Sequence, residues 1–138
     1  MVWGCITFYG VGKLVFVDGN MNSEKYIEVL DDNLWAVVMK HFANKPYLFQ
    51  DDNAPCHASH ATKAWKDRNQ IPCLPWPAQS PDFNIIENIW LLIKNHVKRN
   101  IPNITTVNEL RDVLMCAWKS TSITYIQSLY RFHVGFRK

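Results

Sequence analysis

Apolar residues recur along this chain with two different periods, and each change of period marks an element. Val2 to Phe8 and Lys13 to Val17 are short runs rich in Val, Ile, Phe and Tyr around Tyr9-Gly10-Val11-Gly12. They predict a β-hairpin with the glycines supplying the turn. After Asp18-Gly19-Asn20 the spacing lengthens: Tyr26, Ile27, Leu30, Leu34, Val37, Val38 and Phe42 recur at helical intervals, with Asn22 or Ser23 as N-cap and Asn44-Lys45-Pro46 as the stop. This is a helix of about five turns with one face on the sheet. Its acids, Glu24, Glu28, Asp31 and Asp32, read as a solvated face. Tyr47 to Asp51 and Ile71 to Leu74 are too short for helices and read as strands. Between them Ala58 to Asn69 is helical, with Ala58, Ala61, Ala64 and Trp65 on one face.

Ser80 as N-cap, Pro81 at the first helical position and Asp82 in the first turn predict a further helix, running to about Lys98 or Arg99. Phe83, Ile86, Ile89, Trp90, Ile93 and Val97 form its apolar stripe; Glu87 falls at the margin, and Leu91, Lys94 and Lys98 follow on that flank. Thr106-Val107-Asn108-Glu109 is a capping-box pattern opening a helix from about 107 to 119. A shorter helix from Ser122 to Tyr130 and a basic tail from Arg131 complete the chain.

Length and composition fit a single domain over 1–138: 138 residues, 48% apolar, is enough for a core, burying about 68–70% of the unfolded surface at this size. No apolar run reaches the roughly 18 residues of a membrane span, and no signal-peptide pattern opens the chain, so a soluble intracellular protein is expected. The cysteines at 5, 56, 73 and 116 lack C-x-x-C spacing and suit reduced, buried thiols. Net charge is +3 but uneven: residues 1–60 carry four Lys/Arg against seven Asp/Glu, residues 61–138 eleven against five. The basic second half is compatible with a polyanion partner.

The chemistry sits where the 47–51 strand ends in Asp51-Asp52-Asn53-Ala54-Pro55-Cys56-His57. A carboxylate at a strand tip and a second, Glu87, at the margin of a helix that packs beside that strand can share one site. Carboxylates without a His/Cys ligand set suit hard cations such as Mg2+ or Mn2+ and in-line displacement at phosphorus. Two acids are a thin set for two dications, so a third is expected. Nucleophilic chemistry by Cys56 and His57 is the weaker reading, because turn neighbours rarely aim at one atom and no orienting group is evident.

The strings W-G-C-I near the start, F-Q-D-D-N-A-P-C-H at 49–57 and W-P-A-Q-S-P-D-F-N-I-I-E-N-I-W at 76–90 resemble the catalytic domain of the Tc/mariner superfamily of DDE transposases. The resemblance covers nearly the whole chain and weakens after about residue 120. It implies an α/β, ribonuclease-H-like fold, a mixed sheet flanked by helices, with Mg2+ or Mn2+-dependent cutting and joining of transposon ends in the nucleus. Asp52 and Glu87 match the second and third catalytic acids and would both ligate metal. DNA, at transposon ends and target, is the implied partner, with His57, which the family keeps, Lys63, Lys66, Lys94, Lys98 and Arg99 as candidate contacts.

Two departures accompany the resemblance. Ile85 stands where the family usually has proline. The family's first catalytic aspartate lies on a strand upstream of the W-G motif, and its helix-turn-helix DNA-binding domains lie further upstream; Asp18, after the second hairpin strand, does not match the position of that acid. The expectation is therefore a catalytic domain lacking its first central strand and inactive alone. Its sheet edges would invite self-association, hence a homo-oligomer. The alternative is a non-catalytic nucleic-acid-binding or protein-interaction module on the same scaffold.

Overall fold

The computed structural model describes residues 1–43, 45–52, 54–74 and 84–136, the last five by backbone alone. β1 (Val2–Thr7) and β2 (Gly10–Phe16) form the two-stranded hairpin. The turn is tighter than the glycine spacing predicts: only Phe8 and Tyr9 separate the strands. Thr7 Oγ1 accepts the Tyr9 N–H at 3.0 Å, closing the turn locally, and Gly10 takes up φ +133°, open to glycine and strained for other residues. Gly12 is then free to be a strand residue.

Contacts divide the chain into two compact units, Met1–Cys5 with Val15–Asn84, and Ile6–Leu14 with Ile85–Lys138. In the first, α1 (Ser23–His41) starts at Asn22, whose Oδ1 accepts the Lys25 N–H at 2.8 Å. This supplies one of the partners that every helix start lacks. Tyr26, Leu30 and Leu34 of α1 pack with Trp65 and Ile71, and Trp3, Met21, Trp35 and Phe49 close around them. Phe49 and Cys73 pair in parallel, with Phe49 N–H on Pro72 O at 2.7 Å and Leu74 N–H on Phe49 O at 2.9 Å, so the two segments predicted as strands, 47–51 and 71–74, meet in one isolated bridge and form no longer ladder. Among the described residues this pairing and the hairpin share no strand.

The helix expected over Ala58 to Asn69 is α3 (His60–Arg68), and Ala58 instead ends a separate short helix, α2 (Pro55–Ala58). Ser59 breaks them: it is extended (ψ 156°) and its Oγ accepts the Thr62 N–H as the N-cap of α3. The buried face of α3 is correspondingly rotated. Thr62, Trp65 and Lys66 are buried, whereas Ala61 is exposed. Thr62 is fully buried because its hydroxyl is satisfied, donating to Cys56 O at 2.6 Å.

In the second unit, α4 (Ile86–Asn100) buries Ile89 and Ile93, and Ile85 just ahead of it is buried as well. The Ser80-Pro81-Asp82 start lies outside the described residues, as does Phe83. A 3-10 turn over Ile101–Asn103 leads to α5 (Val107–Lys119), which has the predicted bounds. Its cap is Thr106, accepting the Glu109 N–H at 3.1 Å; Glu109 returns to Thr105 N–H at 2.6 Å, one residue earlier than a standard capping box. α6 (Ile123–Phe136) extends past Tyr130, so the expected tail is helical as far as Phe136. Trp118 anchors this unit: it is 1% exposed, stacks on Trp90 at 5.2 Å and donates its indole N–H to Gly12 O at 2.9 Å. No helix among the described residues is long and apolar enough to cross a membrane.

Candidate functional site

Just after the isolated bridge at Phe49 the chain sends the two adjacent acids to different surroundings. Asp51 turns inward. Its Oδ2 accepts the Tyr26 hydroxyl at 2.7 Å and the Lys66 ammonium at 2.6 Å. Lys66 is 7% exposed, and its Nζ also lies 5.1 Å from the Phe49 ring centroid. A buried lysine needs such a counter-charge, because desolvation penalises the lone ammonium. This corrects one expected DNA contact: Lys66 belongs to the interior, where a phosphate does not reach it.

Asp52 turns outward, with 46% of its side chain exposed. Oδ1 accepts the Ala54 N–H at 2.9 Å, an Asx-type turn within the D-x-A-P sequence, and it pairs with His57 Nδ1. Pro55 starts α2 and places His57 two residues on, where it meets Asp52. The His57 ring rests on Tyr26, with centroids 4.1 Å apart and planes at 32°. Burial first, and then the Asp51 carboxylate, push the Tyr26 phenol far above its ordinary value, so it stays protonated and keeps its hydrogen for Asp51. Tyr26 and Asp51 are the site-shaping residues that sequence reasoning missed. Nothing in local spacing couples position 26 to positions 51 and 57.

Burial also raises the Cys56 thiol, and His57 is engaged with Asp52. The arrangement thus prepares no thiolate. Cys5 is pushed up to about 11 by burial. Cys73 and Cys116 are exposed free thiols, contrary to the expectation that the cysteines are largely interior.

Glu87 lies in the second unit, in the first turn of α4, and is exposed. Lys94, Lys98 and Arg99 are exposed on the same helix, and Lys63 is exposed on α3 in the first unit. The second unit holds nine Lys/Arg against three Asp/Glu, net +6; the first holds six against nine, net −3. A cavity of about 350 Å³ in the second unit is lined by residues including His96, Arg99, Cys116 and Tyr125, but by no carboxylate. It offers nothing to a hard cation. Among the described residues no three His, Cys, Asp or Glu side chains converge.

The family model for DDE superfamily endonucleases matches residues 2–111. The Tc3 transposase of Caenorhabditis elegans is 37% identical over 131 residues, 95% of this chain and 40% of its own length. The Tcb1 transposase of Caenorhabditis briggsae is 33% identical over 131 residues, 94% of this chain and 46% of its own length. The chain therefore spans less than half of these relatives. A solved structure of the Mos1 transposase catalytic domain with raltegravir and Mn superposes with a TM-score of 0.63 at 18% identity, covering 97% of this chain and 72% of that one. The corresponding structure with Mg gives 0.62 at 17% identity, with the same coverage. The fold is thus the ribonuclease-H-like α/β fold. With the family match over most of its length and identity of a third or more to these transposases, the chain belongs to the DDE superfamily endonucleases.

Proposed function

We propose that this chain supplies two metal-holding acids of a transposase catalytic domain, Asp52 and Glu87, for cleavage and strand transfer at DNA phosphodiesters. The observation that carries the reading is the division of labour between the two adjacent acids. Asp51 is spent on Lys66 and Tyr26, while Asp52 stands outward with Oδ1 pinned by Ala54 and His57. Each acid offers the donor chemistry that suits Mg2+ or Mn2+, carboxylate oxygens that are half-exposed at Asp52 and exposed at Glu87, and no thiolate is prepared beside Asp52. The cation, when bound, neutralises charge developing on the phosphoryl oxygens.

The protein's own groups hold and orient. Both bonds described for Asp52 fall on Oδ1, which leaves Oδ2 to turn toward a cation. His57 fixes the carboxylate plane, a role distinct from the direct DNA contact also considered for it. Neither acid is the nucleophile; by family resemblance, water and then a DNA 3′-hydroxyl take that part. Lys63, Lys94, Lys98 and Arg99 would bind backbone phosphates, and such work on chromosomal DNA belongs in the nucleus. Two carboxylates underfill a two-cation site, so the 138-residue chain is expected to bind the cation weakly and not to cut DNA by itself.

Calorimetric titration of the purified chain with Mn2+, alongside a plasmid-nicking assay, tests this. Weak Mn2+ binding lost in Asp52→Asn and Glu87→Gln, with no nicking, is the expected result. Mn2+ binding unchanged in both variants refutes the metal role. Nicking that either variant abolishes refutes the expected inactivity.

The +6 charge of the second unit supports a second reading, a DNA-binding module without catalysis. In that case DNA affinity is insensitive to chelator and to both acid substitutions, and falls steeply with salt.

A further inference from the structure

We infer that Tyr26 is a positioning residue for the metal-binding carboxylate, acting through His57; this rests on the reading of Asp52 as a metal ligand. A half-exposed aspartate in a turn rotates freely unless something restrains it. Here Oδ1 is held by the Ala54 N–H and by His57 Nδ1. His57 is itself a short-helix residue with 19% of its side chain exposed, and its ring needs a surface to lie on.

Tyr26 is that surface. It is 1% exposed in the core of the first unit, with its ring 4.1 Å from the imidazole. Its hydroxyl is tied to Asp51, whose carboxylate is tied in turn to the buried Lys66. Asp51 and Lys66 thus fix the Tyr26 ring in place beneath the imidazole, and Asp52 is restrained through its His57 partner. Packing and outer hydrogen bonds of this kind orient metal ligands elsewhere, and their loss typically weakens metal affinity about 10–100-fold. With 46% of Asp52 in water, the lower end of that range applies here.

A purely structural tyrosine and a positioning tyrosine differ in how its loss combines with loss of His57. Mn2+ dissociation constants are measured by calorimetry at one fixed pH for the wild-type chain, Tyr26→Leu, His57→Ala and the double variant, with circular dichroism and urea melts verifying folding. Each single variant should weaken binding roughly tenfold, and the double variant no more than His57→Ala alone, because the tyrosine acts only through the imidazole. Tyr26→Phe, which restores the ring, should recover most of the affinity. Should Tyr26→Leu fail to fold, Tyr26→Met keeps more of the volume in a flexible apolar side chain and enters the cycle in its place. Multiplying losses in the double variant, or full affinity in the ring-less variant while Asp52→Asn loses binding, overturns the inference and leaves the metal role standing. Full affinity in Asp52→Asn removes the metal role and this inference with it.

Discussion

Replacing Lys66 by methionine tests the interior side of the site most directly. The substitution keeps most of the apolar stem and deletes the ammonium 2.6 Å from Asp51 Oδ2. The pair is largely dry, with 9% of the lysine and 20% of the aspartate side chain exposed. Removing one partner of a buried pair costs about 3–5 kcal/mol, because a charge is left behind uncompensated. Asp51 keeps the Tyr26 hydroxyl and some water contact, which lowers the expected loss to about 2–3 kcal/mol on that scale. The double variant Asp51→Asn, Lys66→Met has no charge to strand, and removing a whole buried pair is often neutral, so stability should return to within about 1 kcal/mol of the wild type. Urea unfolding followed by tryptophan fluorescence and far-UV circular dichroism reads both numbers from the shift in midpoint at constant slope. A loss below about 1 kcal/mol for Lys66→Met, or a double variant no more stable than the single one, would refute the argument that Lys66 is committed to Asp51.

The same substitution separates interior from surface lysines in DNA binding. Lys94→Ala, Lys98→Ala and Arg99→Ala together should flatten the dependence of log affinity on log salt by roughly 2.7, the share of three phosphate contacts, whereas Lys66→Met should leave the slope unchanged. Trp118→Phe removes the indole donor from Gly12 O and part of the stack on Trp90; a loss of about 2–3 kcal/mol in the urea midpoint is expected from an unpaired carbonyl and a weakened ring pair. Leu30→Ala, at a fully buried position, should cost about 2–5 kcal/mol, measured the same way. Hydrogen bonds from Thr105 hold the Glu109 carboxyl below its ordinary value of 4.5. Its support of the α5 start is therefore complete above that value and lost as pH falls through the lower folded value. Acid titration followed by circular dichroism should show that loss, and Glu109→Gln should lack it.

Local order decided much of what could be read from the residues alone. Asn22 and Thr106 cap α1 and α5 as their types and positions indicate, since an N-cap depends on the next three residues and little else. Asp52 could be preferred over Asp51 from its place before Asn53 and its family spacing to Glu87, and the structure turns Asp52 to the outside. The fold followed from motif strings in a fixed order, and the superposition on the Mos1 catalytic domain agrees. Even so, local pattern misled at the α2–α3 junction. Alanines at helical spacing look like a continuous apolar face, yet the Ser59 cap competes with helix continuation and hands burial to Thr62.

What the sequence by itself determined, then, was the family and most of the helices, because each is written in residues close together or in a motif. Only tertiary structure decided that Lys66 is an interior cation and that Tyr26 carries His57. Those partners lie 15 and 25 residues from Asp51, and a lysine on a helix reads as solvated until packing brings a carboxylate to it. Desolvation of that pair is a property of the packed core, and no spacing along the chain expresses it.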